Sequence, residues 1–235
     1  MNRTIMMLYA ASATAVVGLM RPATALASGA TVEVSAVDSN YLAVAGGTAL
    51  VPAGDLIQLG SFSIGDAQIT ALQSGNTITP GHVATLLAAF TPMNSKGSAY
   101  VGDGAMGYAG AFDVLFAGNN MAASQNPYLL AFNAPTAAAA TEIGVFRGGA
   151  DWTFPSDPNA GSTYFDLDTA LTPPLIGTYT ANTSVDIPWL IAYPVGFTAP
   201  NTFNLDWIAV PEPSSLALVV VGVLCGISLI GRRRS

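Results

Sequence analysis

The chain has 235 residues, of which 51% are hydrophobic and only 9% charged, with a formal net charge of −7. Arg3, Arg21, Arg232, Arg233 and Arg234 lie at the two ends, so residues 28–209 keep Lys96 and Arg147 against thirteen acids (Glu212 lying beyond them), a net charge of −11. Such a body excludes phosphate-directed nucleic-acid binding and adhesion to anionic membrane surfaces, and it favours solubility and divalent cations.

At the N-terminus, Arg3 precedes a mostly apolar run from Ile5 to Met20, and Ala25-Leu26-Ala27 fits the small-x-small cleavage rule. This predicts a signal peptide over residues 1–27, Ser28 as the mature N-terminus and the Sec translocon as the first partner. An uncleaved N-terminal anchor is the alternative. Residues 28–209 then form an extracytoplasmic body large enough for one domain with a real core. Its stability must come from packing, because the single cysteine, Cys225, falls in the C-terminal apolar run.

The body reads mostly as strands. Across Thr31–Val37, Val32, Val34 and Ala36 share one face, and Glu33 and Ser35 the other. Asp38-Ser39-Asn40 and Gly46-Gly47 are turn clusters, and Asp55–Phe62 is a second strand. Asp66 is placed to cap a short helix reaching Gln73, with Gly75 just past its end. Thr79-Pro80 is a second helix start, and Val83, Leu86, Leu87 and Phe90 make an apolar stripe suited to covering a sheet. Residues 94–110 form a Gly-rich connection without the spacing of a phosphate-binding loop. Strands resume at Tyr108–Phe116, Tyr128–Phe132, Thr141–Phe146, Thr163–Leu167, Leu175–Tyr179 and Thr202–Ile208; Ala137–Ala140 is read as a loop or at most one turn. The expected fold is mainly β, an antiparallel β-sandwich with one or two short helices.

Few residues carry chemistry. His82, the only histidine, sits in the first turn of the second helix as a half-exposed polar residue, and no G-x-S-x-G elbow accompanies it. One histidine and a body without cysteine exclude multi-histidine and Cys-rich zinc sites. Carboxylates remain. Asp166-Leu167-Asp168 puts two acids on one side of a strand or its exit, and Asp151 and Asp157 lie on the preceding turn-rich segment. They are calcium candidates, or a glycosidase acid–base pair, or solvated loop acids around an inward Leu167. Trp152, Trp189 and Trp207 either stack on sugar rings or pack in the core; alternation with Leu205 and Phe203 places Trp207 inward. No catalytic residue and no obligatory cofactor is expected.

The C-terminal segment 210–235 has a different character. Ser214–Gly231 is an uncharged stretch of 18 residues, about 27 Å long as a helix, near the lower limit for crossing a bilayer core. Arg232, Arg233 and Arg234 follow and are retained on the cytoplasmic side. Pro211 and Pro213 stop the helix upstream and leave Glu212 extended and accessible. This reads as a transmembrane helix over about 214–231.

Val210-Pro211-Glu212-Pro213-Ser214, the apolar span and the terminal arginines together resemble the PEP-CTERM sorting signal. The resemblance implies handling by an exosortase, a membrane transpeptidase-like enzyme of Gram-negative bacteria that make exopolysaccharide. It implies cleavage near Pro-Glu-Pro and passage of the body from a membrane-anchored precursor to the cell surface or exterior. The body is also similar to short PEP-CTERM surface proteins in Gly54–Phe62, Asn126–Phe132 and Thr141–Phe146, which implies a shared β scaffold and no catalytic residues. The function expected is a non-enzymatic surface or extracellular-matrix component associated with polysaccharide. The alternatives are a carbohydrate- or calcium-binding module and an extracellular glycoside hydrolase.

Overall fold

The computed structural model describes residues 30–36, 40–122, 125–148, 152–155, 162–167, 174–181, 183 and 200–209. The expected signal peptide over residues 1–27, the tail from residue 210, Asp151, Asp157, Asp168 and Trp189 lie outside the described residues. Within them the chain is mainly β. The strands are β1 (Ala30–Ala36), β2 (Asn40–Ala43), β3 (Leu56–Phe62), β4 (Gln73–Ser74), β5 (Thr77–Ile78), β6 (Phe90–Pro92), β7 (Ser98–Tyr100) and β8 (Phe112–Gly118). They continue with β9 (Tyr128–Phe132), β10 (Glu142–Arg147), β11 (Ser162–Asp166), β12 (Pro174–Ile176), β13 (Thr178–Thr180), β14 (Asn201–Asn204) and β15 (Asp206–Ile208). Two helices, α1 (Asp66–Thr70) and α2 (Pro80–Ala89), lie between β3 and β6.

A nine-stranded sheet runs β4-β5-β15-β10-β9-β3-β6, with β12 joined to β10 and β7 to β3. Alternation along its central strand sorts two cores. Leu129 and Ala131 of β9 face Val34, Phe116 and Phe165 from the three-stranded sheet β11-β1-β8, and Phe203 from the sheet β13-β14-β2. Tyr128, Leu130 and Phe132 face the other way, against Ile69 of α1 and Val83 and Leu86 of α2. The sandwich core therefore lies between sheets, and the helices cover the outer face of the larger one. Trp152 stacks on Phe165 at 4.8 Å inside the sandwich core. Each fully buried side chain of this kind stabilises the fold by about 1.5–3 kcal/mol.

Most elements fall where the hydrophobic pattern puts them, and the departures have local causes. Thr79 caps α2, its hydroxyl accepting from the His82 amide, with Pro80 in the first turn. The first helix is shorter than the pattern suggests. Gly65 takes the cap position, its amide donating to Gln68 Oε1, while Gln73 joins β4 and Gly75 turns the β4–β5 hairpin at φ +62°. Phe90 leaves the helical stripe for extended backbone and starts β6. Asn40, read as a turn residue, opens β2, and the Gly-rich connection contains β7. Most pairings are antiparallel, but β1–β11, β2–β14 and β5–β15 are parallel.

Two runs read as continuous strands are each broken where the chain crosses between sheets. Gly177, at φ +108°, separates β12, paired with β10, from β13, paired with β14. Leu205 separates β14 from β15, which also pairs with β10. Such switches make the corners of packed sheets. A Cβ at Gly177 would lie 2.4 Å from the Asn204 carbonyl oxygen. Gly177→Ala therefore combines backbone strain with a clash, and we expect a loss of about 2 kcal/mol or more in urea unfolding. A change below about 0.5 kcal/mol, the size of an ordinary surface substitution, would contradict the corner assignment.

Candidate functional site

Three places in the described body stand out by their charged groups: buried single carboxylates, an ion-pair cluster under α1, and the outer face of the sheet β11-β1-β8. The first group is Asp55, Glu142 and Asp206, all buried. Asp206 accepts from the Gly177 amide at 3.0 Å and from the Gln73 side-chain amide, so it fastens both sheet-crossing segments to the β4–β5 hairpin. Glu142 Oε2 accepts from the Ala45 amide at 2.8 Å, joining β10 to the turn after β2. Asp55 Oδ2 has no partner. Burial pushes all three above the usual carboxylate range, and the hydrogen bonds to Asp206 and Glu142 partly offset it.

In the second place, Arg147 pairs with Asp66 at the start of α1. Tyr128 Oη donates to Asp66 Oδ1 at 2.7 Å. With the Asn126 amide oriented so that its oxygen faces the guanidinium, that oxygen accepts from Arg147 Nη2 at 2.8 Å and Nε at 3.1 Å. Burial, and then the hydrogen bond to Asp66, push the Tyr128 phenol up to about 12. One of the two basic residues of the body is thus spent on holding α1 to the sheet. His82 is exposed, and its Nδ1 donates to the Leu72 carbonyl at 2.7 Å.

The third place combines exposed rings with acids. In the parallel and antiparallel registers of β1, Glu33 lies between Tyr164 and Leu115, and Ser35 between Asp166 and Asp113. Val32, Val34 and Ala36 fill the core beneath, so these alternate positions form the outer face. Tyr164 is 55% exposed and Leu115 43%. Ser35, by contrast, is fully buried on this face.

Asp166 is thus the calcium candidate among the described residues, and it shares a cross-strand row with Ser35 and Asp113. Among the described residues, no three carboxylate, histidine or cysteine side chains are grouped to hold a metal ion. The expectation for Trp207 is corrected. It is 48% exposed, because the break at Leu205 resets the alternation and turns Asp206 inward in its place. Trp152 is buried in the core. Asp113 escaped the sequence reading because nothing in its neighbourhood marks it; only the β1–β8 register brings it beside Ser35.

The fold holds the chain up to the start of the tail. The Ile208 amide donates to Thr141 O at 2.7 Å and the Ala209 amide to Ile78 O at 2.8 Å. Among the described residues no helix is long and apolar enough to cross a membrane, and the expected span 214–231 lies outside them. The molecule is in this sense a mainly β body followed by a separate C-terminal signal. Residues 209–234 match the PEP-CTERM protein-sorting motif, which supports export, a membrane-anchored sorting signal and processing by an exosortase. Comparison of the chain with curated proteins and with solved structures gives no match, so no relative shows the likeness of the body to short PEP-CTERM surface proteins.

The buried carboxylates set a pH dependence. Each holds its proton in the folded state at pH values where the unfolded chain has lost it. Their contribution is full below the ordinary carboxylate range and is lost as pH rises through the elevated folded values. The urea midpoint should therefore fall with rising pH across that window. Asp55→Asn should flatten the fall, and an unchanged slope in that variant would remove Asp55 from the account.

Proposed function

We propose that this is an exported cell-surface or extracellular-matrix protein, delivered by an exosortase, whose body acts without catalysis as a structural or interaction module. One observation carries the reading: the sorting motif begins at residue 209, where backbone pairing of the last described strand ends. A cut within Val210–Pro213 leaves every described strand and its hydrogen bonds in place. Pro211 and Pro213 offer no amide to a sheet and keep Glu212 extended, the form in which a cleaving enzyme binds a peptide. In this reading Val210–Pro213 is a recognition sequence for the exosortase, and Arg232–Arg234 hold the precursor in the membrane until processing.

A second reading, a carbohydrate-binding surface, is favoured by the outer face of β11-β1-β8. The exposed Tyr164 ring and Leu115 flank Glu33, so an apolar platform stands beside a hydrogen-bond acceptor. Sugars present a matching combination of C–H faces and hydroxyls. The charge of −11 favours neutral over acidic polysaccharide. Surface or matrix polysaccharide is then the partner.

Mass spectrometry of the mature protein from its native host tests the first reading: its C-terminus should fall within residues 210–213, and recovery of an intact Arg232–Arg234 end would overturn processing. The second predicts binding to neutral glycans on an array and at least about tenfold weaker binding by Tyr164→Ala, the loss expected for one stacked ring. Equal binding by the variant would reject the platform.

A further inference from the structure

The row Asp113–Ser35–Asp166 crosses the outer face of the three-stranded sheet, one residue from each strand at matched register. Two strand spacings, about 9–10 Å, separate the backbones of the two acids. Two carboxylates reaching inward, with one ion at about 2.3–2.6 Å from each oxygen, fill such a gap. Ser35 sits at its centre, fully buried, with a hydroxyl that has no hydrogen-bond partner. Asp113 Oδ1 is likewise shut off from solvent and unpartnered.

The Gly-rich turn packs closely against the backbone of Asp113. The Asp113 amide donates to Asp103 O, and Gly104 (φ +70°) comes so close that a Cβ there would stand 1.9 Å from Asp113 O and 3.2 Å from Asp113 Cβ. Any side chain at residue 104 would push this turn away from Asp113. A buried carboxylate oxygen and a buried hydroxyl, adjacent and unsatisfied, each carry a desolvation penalty of about 1–3 kcal/mol or more. The one ion pair among the described residues is Arg147 with Asp66, so neither body cation forms a salt bridge with Asp113.

We propose that this row is a calcium site, with Asp113 and Asp166 as carboxylate ligands and Ser35 as a hydroxyl ligand. All three donors are hard oxygens, which select calcium or magnesium over zinc. Calcium fits better, because it accepts irregular coordination completed by water, whereas magnesium demands near-ideal octahedral geometry. The ion ties β11 to β8 across β1 and offsets part of the body's negative charge. The inference is independent of the sorting signal and of the carbohydrate reading.

The test uses the full-length protein in detergent micelles, stripped with EDTA and titrated with calcium chloride. Thermal unfolding is followed together with terbium luminescence sensitised by tyrosine, Tyr164 being the nearest residue along β11 on the same face. The melting temperature should rise saturably with calcium, and calcium should displace terbium. Asp113→Asn should weaken binding about tenfold or more, and Ser35→Ala by less, without lowering the melting temperature in EDTA. Asp103→Asn, at an exposed acid whose carboxylate accepts from the Tyr100 amide, should bind as the wild type does. Absence of saturable binding in the wild type overturns the proposal, as does wild-type affinity in both Asp113→Asn and Ser35→Ala. If Asp113→Asn fails to fold, Ser35→Ala alone decides, because it removes one oxygen and keeps the volume of the site nearly unchanged.

Discussion

The carboxylate of Asp206 is the fastening on which the sandwich depends. Two segments of the chain cross between the nine-stranded sheet and the sheet β13-β14-β2, one through Gly177 and the other through Leu205. At that crossing, ladder hydrogen bonds are interrupted, and a buried amide without a partner is costly. Asp206 supplies the missing acceptor to Gly177 and binds the Gln73 side chain as well, so one side chain ties the two segments to the β4–β5 hairpin. Burial makes this acid harder to ionise, while its two donors act in the opposite direction. The cost of a buried charge is accepted here because the sheet exchange leaves amides that ordinary pairing does not reach.

The same economy governs the scarce cations. Arg147 is consumed in a structural cluster with Asp66, Tyr128 and Asn126 that pins α1 over the sheet. Of the other described acids, Glu142 and Asp206 accept from backbone amides. This turns a composition into a surface property: the body repels polyanions and presents oxygen donors. On the outer face of β11-β1-β8 those donors stand beside exposed apolar groups, so the most ligand-like chemistry of the described body is concentrated on three strands.

Sorting and folding are separated along the chain. The β pairing that closes the body reaches Ala209, and the sorting motif starts there. The last described strand ends at Ile208, so the proposed cut within Val210–Pro213 leaves the described strands intact. Proline as a residue type suits such a separation, because it disfavours both helix continuation and ladder pairing.

The sequence by itself determined the export pattern, the sorting signal, the class of the fold and most of its strands, because these depend on local hydrophobic period, proline placement and charge. Val32, Val34 and Ala36, or Thr79 with Pro80, state their structure within a few residues. What only the tertiary structure decided depends on which strands become neighbours. The parallel pairing of β1 with β11 and the antiparallel pairing with β8 bring Asp166, Ser35 and Asp113 into one row across 131 positions of sequence. The break at Leu205 turned Trp207 outward against its alternation, and Gly177 divided an apparently continuous strand. Register and sheet crossing arise from packing between distant segments, and no short window of residues contains the information that sets them.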